Sequence, residues 1–425
     1  MKRILAVVLL AGAALAQQAP GQPARPQTAS CPQAEPLGIS LEKTDGFPKF
    51  IEAADARART LDELLATIWL RYVDPKFGGR DWEKITAQYK AKALEAKSER
   101  AFYDALRGLV AELDGGESAF VSSTQIAAQQ ASASPTFTGV GMLVTQSAAR
   151  EGLTIQWVVP KGPADQAGLR PRDRILAVNG QPCPSTDKIR GPAGTNVTLT
   201  VKSPGKDPRD ITIQRNRINF PSSLVEARRL EADPSVGYVW IGALTGDDFP
   251  DVFSKAVASI ASGNNPVKSL ILDLRSSSGA GIGLMEEIMG HFVGGTRYSL
   301  EGPEVTVRRT IQPHTPNLSQ IPLVVLVDQD TSGSATMTAG ILQKRPKTVV
   351  IGQTTQTGGK LFRTHELPDG SALLLAEAKL VLADGGSLKD DKVTPTTVVS
   401  QDWVQSPEVD DPYLKAALEA LGKLR

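Results

Sequence analysis

The chain has 425 residues, more than one ordinary hydrophobic core accommodates, so several domains are expected. Hydrophobic residues make up 41% and charged residues 22%, the composition of a folded globular protein. Its formal charge of +1 supplies no field to hold nucleic acid or an anionic membrane, so neither is expected as a partner.

In chain order, "MKRILAVVLLAGAALAQ" places Lys2 and Arg3 before an apolar run that ends in Ala14-Leu15-Ala16. This is the plan of a secretory signal peptide, residues 1–16, cleaved before Gln17. The run is too short for a comfortable membrane span, and no later stretch is long and apolar enough for one. The expected product is exported and soluble, periplasmic or extracellular. Residues 17–49 begin with "QQAPGQPARPQTASCPQAEP", a linker composition of Pro, Gln and Ala. Cys31 lies in it and Cys183 far beyond, and the simpler expectation for the two is incidental thiols rather than a bridge.

Residues 50–133 carry helical periodicity. "TLDELLATIWLRYVD" aligns Leu61, Leu64, Leu65, Ile68 and Tyr72 on one face, with Thr60 as the predicted cap. "DWEKITAQYKAKALEA" and "ERAFYDALRGLVAELDGGES" continue that period up to Gly115-Gly116. A low-complexity stretch, Gln129–Phe137, then leads into residues 134–216, whose short β-branched runs bounded by Gly, Pro or Asn read as strands. "GPADQAGL" between them reads as a short helix. From 217 to 425, "VGYVWIGAL", "SLILDLR", "PLVVLV" and "KTVVIG" alternate with "DVFSKAVASIAS", "GLMEEIMGHFVGG" and "TMTAGILQK". Apolar strands alternating with amphipathic helices predict an α/β layer with a partly parallel sheet. "THELPDGSALLLAEAKLVL" adds a hairpin turning at Asp369-Gly370.

Common signatures fail. His291, His314 and His365 are far apart and none sits in a metal-binding motif, so no metal is expected. "GAGIGL" has Leu284 where a dinucleotide fingerprint needs its last Gly, and "TTQTGGKLF" has Thr354 and Leu361 at defining P-loop positions, so no nucleotide cofactor is expected either. What remains is "DTSGSATMTAG" behind a buried strand. A serine at a strand-to-helix turn becomes nucleophilic when a desolvated lysine takes its proton, and helix N–H groups stabilise the oxyanion. Ser334 is the candidate nucleophile, Ser332 the alternative, and Lys360 the candidate base. Gly279 and Ala335 are the candidate oxyanion donors. The same Ser-Gly-Ser also suits a plain helix cap. Separately, the glycine turn Gly139-Val140-Gly141-Met142 entering a strand offers N–H groups to a terminal carboxylate, with the strand available for β-augmentation.

These pieces, in this order, resemble the carboxy-terminal processing (tail-specific) protease family. The resemblance spans roughly Thr60 to the C-terminus. It rests on "LDGGESAFVSS", on a PDZ-like series (Gly139–Met142, Pro160, "GPADQAGL", Asp173-Arg174-Ile175, Val178–Gly180, Gly194-Thr195), on "SLILDLRSSSGAG", and on "DDKVTPTTV". It implies a multidomain α/β architecture: an N-terminal helical region, a PDZ-like β-domain and a ββα-type protease core. It also implies Ser-Lys cleavage of unfolded or tagged polypeptides near their C-termini, without cofactor. Aligned without gaps, the family's serine falls on Gly333 and its lysine on Gly358. Ala280 stands for the second oxyanion-loop Gly and Lys344 for the Asp after "ILQ". A one-residue shift brings in Ser334 and, at nearly the family spacing, Lys360. Two expectations follow: an exported Ser-Lys endopeptidase, or a catalytically inactive homologue that binds C-terminal peptides.

Overall fold

The structure, a computed structural model, describes residues 54–424 apart from 115–116, 133–135, 148–149, 280, 304–305 and 357. The expected signal peptide, the linker and Cys31 lie outside the described residues. Cys183 is disulfide-bonded, against the expectation of incidental thiols. No helix among the described residues is long and apolar enough to cross a membrane.

Helices Ala54–Arg71, Trp82–Leu94 and Glu99–Asp114 form the N-terminal layer. The first starts well before Thr60, which is therefore no cap. Thr60 is fully buried inside the helix, and its Oγ1 is unpartnered among the described residues. Leu61, Leu64, Ile68 and Tyr72 are buried as the period predicts, packed with Phe102, Leu106 and Leu109 of the third helix. Asp81 caps the second helix by accepting from the Lys84 N–H at 3.0 Å. Helix Ser123–Ser132 covers the first part of the stretch read as low complexity.

A second unit is a six-stranded antiparallel sheet. Met142–Gln146 is its edge strand, followed in space by Leu153–Val158, Arg174–Val178, Asn196–Lys202 and Arg209–Gln214. Pro163–Gln166 is the predicted short helix. Val140, Leu153, Ile155, Ile175, Leu199 and Val201 fill the core beneath.

The third unit carries the parallel strands Val236–Leu244, Ser269–Asp273, Leu323–Val327 and Thr348–Gly352, with the antiparallel strand Leu224–Arg229 at one edge. Both faces are covered, which is why these strands read as unbroken apolar runs. Leu323, Val325 and Val327 face helices Phe249–Ala261, Ile282–Gly290 and Ser334–Gln343. Val324 and Leu326 face Trp403 and helix Pro412–Leu424. Hairpin Lys360–Glu366 and Ala372–Leu382 forms as predicted, with Gly370 at φ +78° in its turn. It belongs to a separate antiparallel sheet with Ala119–Val121, Gly295–Glu301 and Thr306–Ile311. Thus the hairpin strand Ala372–Leu382 reaches from the N-terminal helices, at Leu373 and Leu375, to the core, at Ala378 and Leu380.

Candidate functional site

The site is built at the carboxyl end of strand Leu323–Val327. Asp328 is wholly buried there, and its Oδ1 accepts from the Ser276 N–H at 2.7 Å and the Asp330 N–H at 3.1 Å. Its Oδ2 accepts from Trp403 Nε1 at 2.9 Å and from Ser276 Oγ at 3.0 Å. Thr331 Oγ1 donates to the Leu274 carbonyl at 2.8 Å, and Ser332 N–H to the Ser277 carbonyl at 2.9 Å. The turn is thereby laced to the segment after strand Ser269–Asp273. Gly333 follows at φ +59° and ψ −133°, a conformation reserved for glycine, and the helix begins at Ser334.

Three glycines interlock at this point. A Cβ on Gly333 would land on the Gly279 carbonyl oxygen. One on Gly358 would lie 2.6 Å from the Gly333 oxygen and 2.6 Å from Thr336 Cβ. One on Gly279 would lie 2.5 Å from Ser334 Oγ. Backbone at 333, and backbone with the Thr336 side chain at 358, fill the space where the gap-free alignment with the family places the first carbon of a serine and of a lysine.

Among the predicted residues, Ser334, Gly279 and Ala335 come together. Ser334 is 3% exposed, opens the helix against Gly279, and is followed by the fully buried Ala335. The first N–H groups of a helix have no partner within it, so the local field favours negative charge. Ser334 Oγ is buried without a hydrogen-bond partner among the described residues. Ser332 is half-buried on the turn.

Lys360 does not join them. Its Nζ donates to Glu117 Oε2 at 2.7 Å and lies 3.2 Å from Asp391 Oδ2. Burial alone would lower the ammonium pKa. The bond and charge of Glu117, with the charge of Asp391, outweigh that and hold it above the ordinary lysine value. An amine so held stays protonated and takes no proton from a serine. Asp391 also fixes the approach to Lys360, since its carbonyl accepts from the Gly358 N–H at 2.8 Å.

The predicted carboxylate turn lies on the antiparallel unit. Gly139 ends the short strand Thr136–Gly139, Val140 is buried in the core, Gly141 has φ +80°, and Met142 opens the edge strand. The carbonyls of Val140 and Gly141 accept from Ala164 N–H at 2.8 Å and Val159 N–H at 2.9 Å, fixing the turn.

Sequence reasoning missed what seats this unit on the core. Arg150, with its side chain 3% exposed, meets Asp330 at 2.8 Å, Asp402 at 3.1 Å and Asp328 at 3.7 Å. Arg172 meets Asp411 at 2.8 Å and donates to the carbonyls of Trp403 and Ser406. Arg275 meets the same Asp411 at 2.7 Å and also pairs with Asp273. The guanidinium carbons of Arg150, Arg172 and Arg275 lie 5.6, 5.2 and 4.5 Å from the Trp403 ring centre. Burial and Asp328 push Asp330 up to about 6, against the pull of Arg150. The one available signal was ionisable residues abutting apolar strands, as in "LDLR" and "LVDQD".

The comparisons agree with this architecture. Residues 235–399 match the model of Peptidase family S41, residues 154–203 that of a PDZ domain, and residues 54–111 that of the Tricorn protease C1 domain. The carboxyl-terminal-processing protease of Synechocystis sp. is 26% identical over 369 residues, covering 82% of this chain and 83% of that protein. The carboxy-terminal processing protease CtpB of Bacillus subtilis is 24% identical, covering 86% and 73%. In fold, the chain is similar to the photosystem II D1 C-terminal processing protease, with TM-score 0.59 and 22% identity, covering 86% of this chain and 97% of that one. The chain belongs to the S41 peptidase family of carboxyl-terminal-processing proteases and carries that family's PDZ domain and helical N-terminal region.

Proposed function

We propose that this chain is a peptide-binding member of the S41 family in which Ser-Lys proteolysis is silent. Its PDZ unit would capture the free C-termini of unfolded polypeptides by adding them to the Met142–Gln146 edge, and its core would serve as a scaffold. One observation carries the reading: the Lys360 ammonium is held between Glu117 and Asp391. The interlocked Gly333 and Gly358 support it. The test pairs two measurements. A fluorescent peptide with an apolar C-terminus should bind as the free acid and far more weakly when amidated, because the turn recognises the carboxylate. A disordered protein incubated with the purified chain should remain intact. Turnover that Ser334→Ala abolishes would overturn the reading.

A second reading is favoured by the unpartnered Ser334 Oγ. Here Ser334 is the nucleophile of an endopeptidase, Gly279 and Ala335 supply the oxyanion N–H groups, and Lys360 serves once it leaves its carboxylates. Labelling of Ser334 by a fluorophosphonate, read by mass spectrometry, distinguishes the two. Either activity would operate after export, a reading supported by the leader-like residues 1–16. Fractionation of expressing cells that finds full-length chain only in the cytoplasm would refute it.

A further inference from the structure

The helix that opens at Ser334 ends at Gln343, about 15 Å away at 1.5 Å per residue. Beyond that end lies a cavity of about 480 Å³. Arg297, Arg345 and Lys347 line it, with Asn317, Ser319 and Gln320 as polar neighbours, and none of the described residues in its wall is acidic. Arg345 sets its character. It is 7% exposed and donates to the carbonyls of Phe292 at 3.2 Å, Leu318 at 2.9 Å, Ile321 at 2.6 Å and Pro346 at 3.3 Å, and to Thr348 Oγ1 at 2.9 Å. These acceptors engage every guanidinium N–H, and all are neutral. Burial lowers the pKa to about 10, so the group remains charged at neutral pH. No carboxylate pairs with it among the described residues.

A buried charge balanced only by dipoles is costly, and a counter-ion relieves that cost. Arg297 and Lys347 are exposed at the rim, and neither forms an ion pair among the described residues. Lys347 has φ +57°, a rare conformation for a side-chain-bearing residue and one found at ligand clamps. We propose that this cavity binds a doubly charged oxyanion, with Arg297 and Lys347 as its direct partners and Arg345 as the buried charge behind them. Two rim cations over a third favour a dianion over a single carboxylate. The site is separate from both the Ser334 turn and the PDZ unit, so its test does not depend on either functional reading.

The probe is inorganic phosphate, titrated into the intact chain at ionic strength held constant with NaCl and followed by calorimetry and thermal melting. Saturable binding at one site, millimolar or tighter, with a rising melting midpoint is expected. The Arg297→Glu, Lys347→Glu double variant changes exposed residues only, so it should fold and bind phosphate at least about tenfold more weakly. Absence of saturable binding, or equal binding by the variant, would overturn the proposal. Acetate binding more tightly than phosphate would overturn its assignment to a dianion.

Discussion

At 279, 333 and 358 the residue type matters because three chain segments cross with no room for a Cβ. Installing the family's dyad by Gly333→Ser with Gly358→Lys should therefore fail to create a peptidase. The φ +59° position alone costs about 1–3 kcal/mol, and the contacts at 358 add to it. The melting temperature should fall by at least several degrees, and cleavage of a disordered protein at the parent's stability would contradict this. Ser334→Ala should be neutral or stabilising by up to about 1 kcal/mol, since the hydroxyl is buried without a partner. Urea denaturation checks it, and a loss above that size would reveal a partner for Ser334 Oγ. The serine at the strand-to-helix turn was legible from the sequence because strand, glycine and helix signals are local. The interlocking of Gly279, Gly333 and Gly358 was not, since it depends on segments far apart in sequence.

Elements were legible where burial is one-sided or complete and obscure elsewhere. Strand Leu323–Val327 and helix Ser334–Gln343 follow directly from their apolar patterns. Strands Gly295–Glu301 and Thr306–Ile311 carry charged and polar residues on a largely exposed surface, so periodicity passed over them. Lys360 opens a strand and sits opposite Lys379 of Ala372–Leu382, which on its other side faces Glu301, while Glu117 follows helix Glu99–Asp114 in the chain. This ion pair thus ties the helical layer to the core. Lys360→Met should leave Glu117 and Asp391 facing each other with little water, costing about 1–3 kcal/mol. Adding Glu117→Gln and Asp391→Asn should recover part of that loss. Without recovery, the ion pair would not be the source of the effect.

For the whole molecule, the PDZ unit is fastened to the core by buried ion pairs, and its seating responds to pH through Asp330. That carboxyl binds its proton more tightly folded, at about 6, than at its ordinary value of 3.8. Its contribution is complete below the lower value and is lost as pH rises through the upper one. Asp330→Asn should accordingly stabilise the protein above about pH 6, with the gain vanishing below about pH 4. Urea midpoints at pH 7.5 and 4 read this out, and a pH-independent difference would rule out the charge as cause. Fold class and order of units were legible because the motifs are spread along the chain, whereas the Arg150 and Arg172 contacts join units distant in sequence.

The Trp403 indole lies beneath three guanidinium groups, two of which arrive with the PDZ unit. Lifting that unit away would leave the ring with Arg275 alone and admit solvent. Emission from Trp403, isolated by replacing the other tryptophans with phenylalanine, becomes a built-in optical gauge of whether the module is docked.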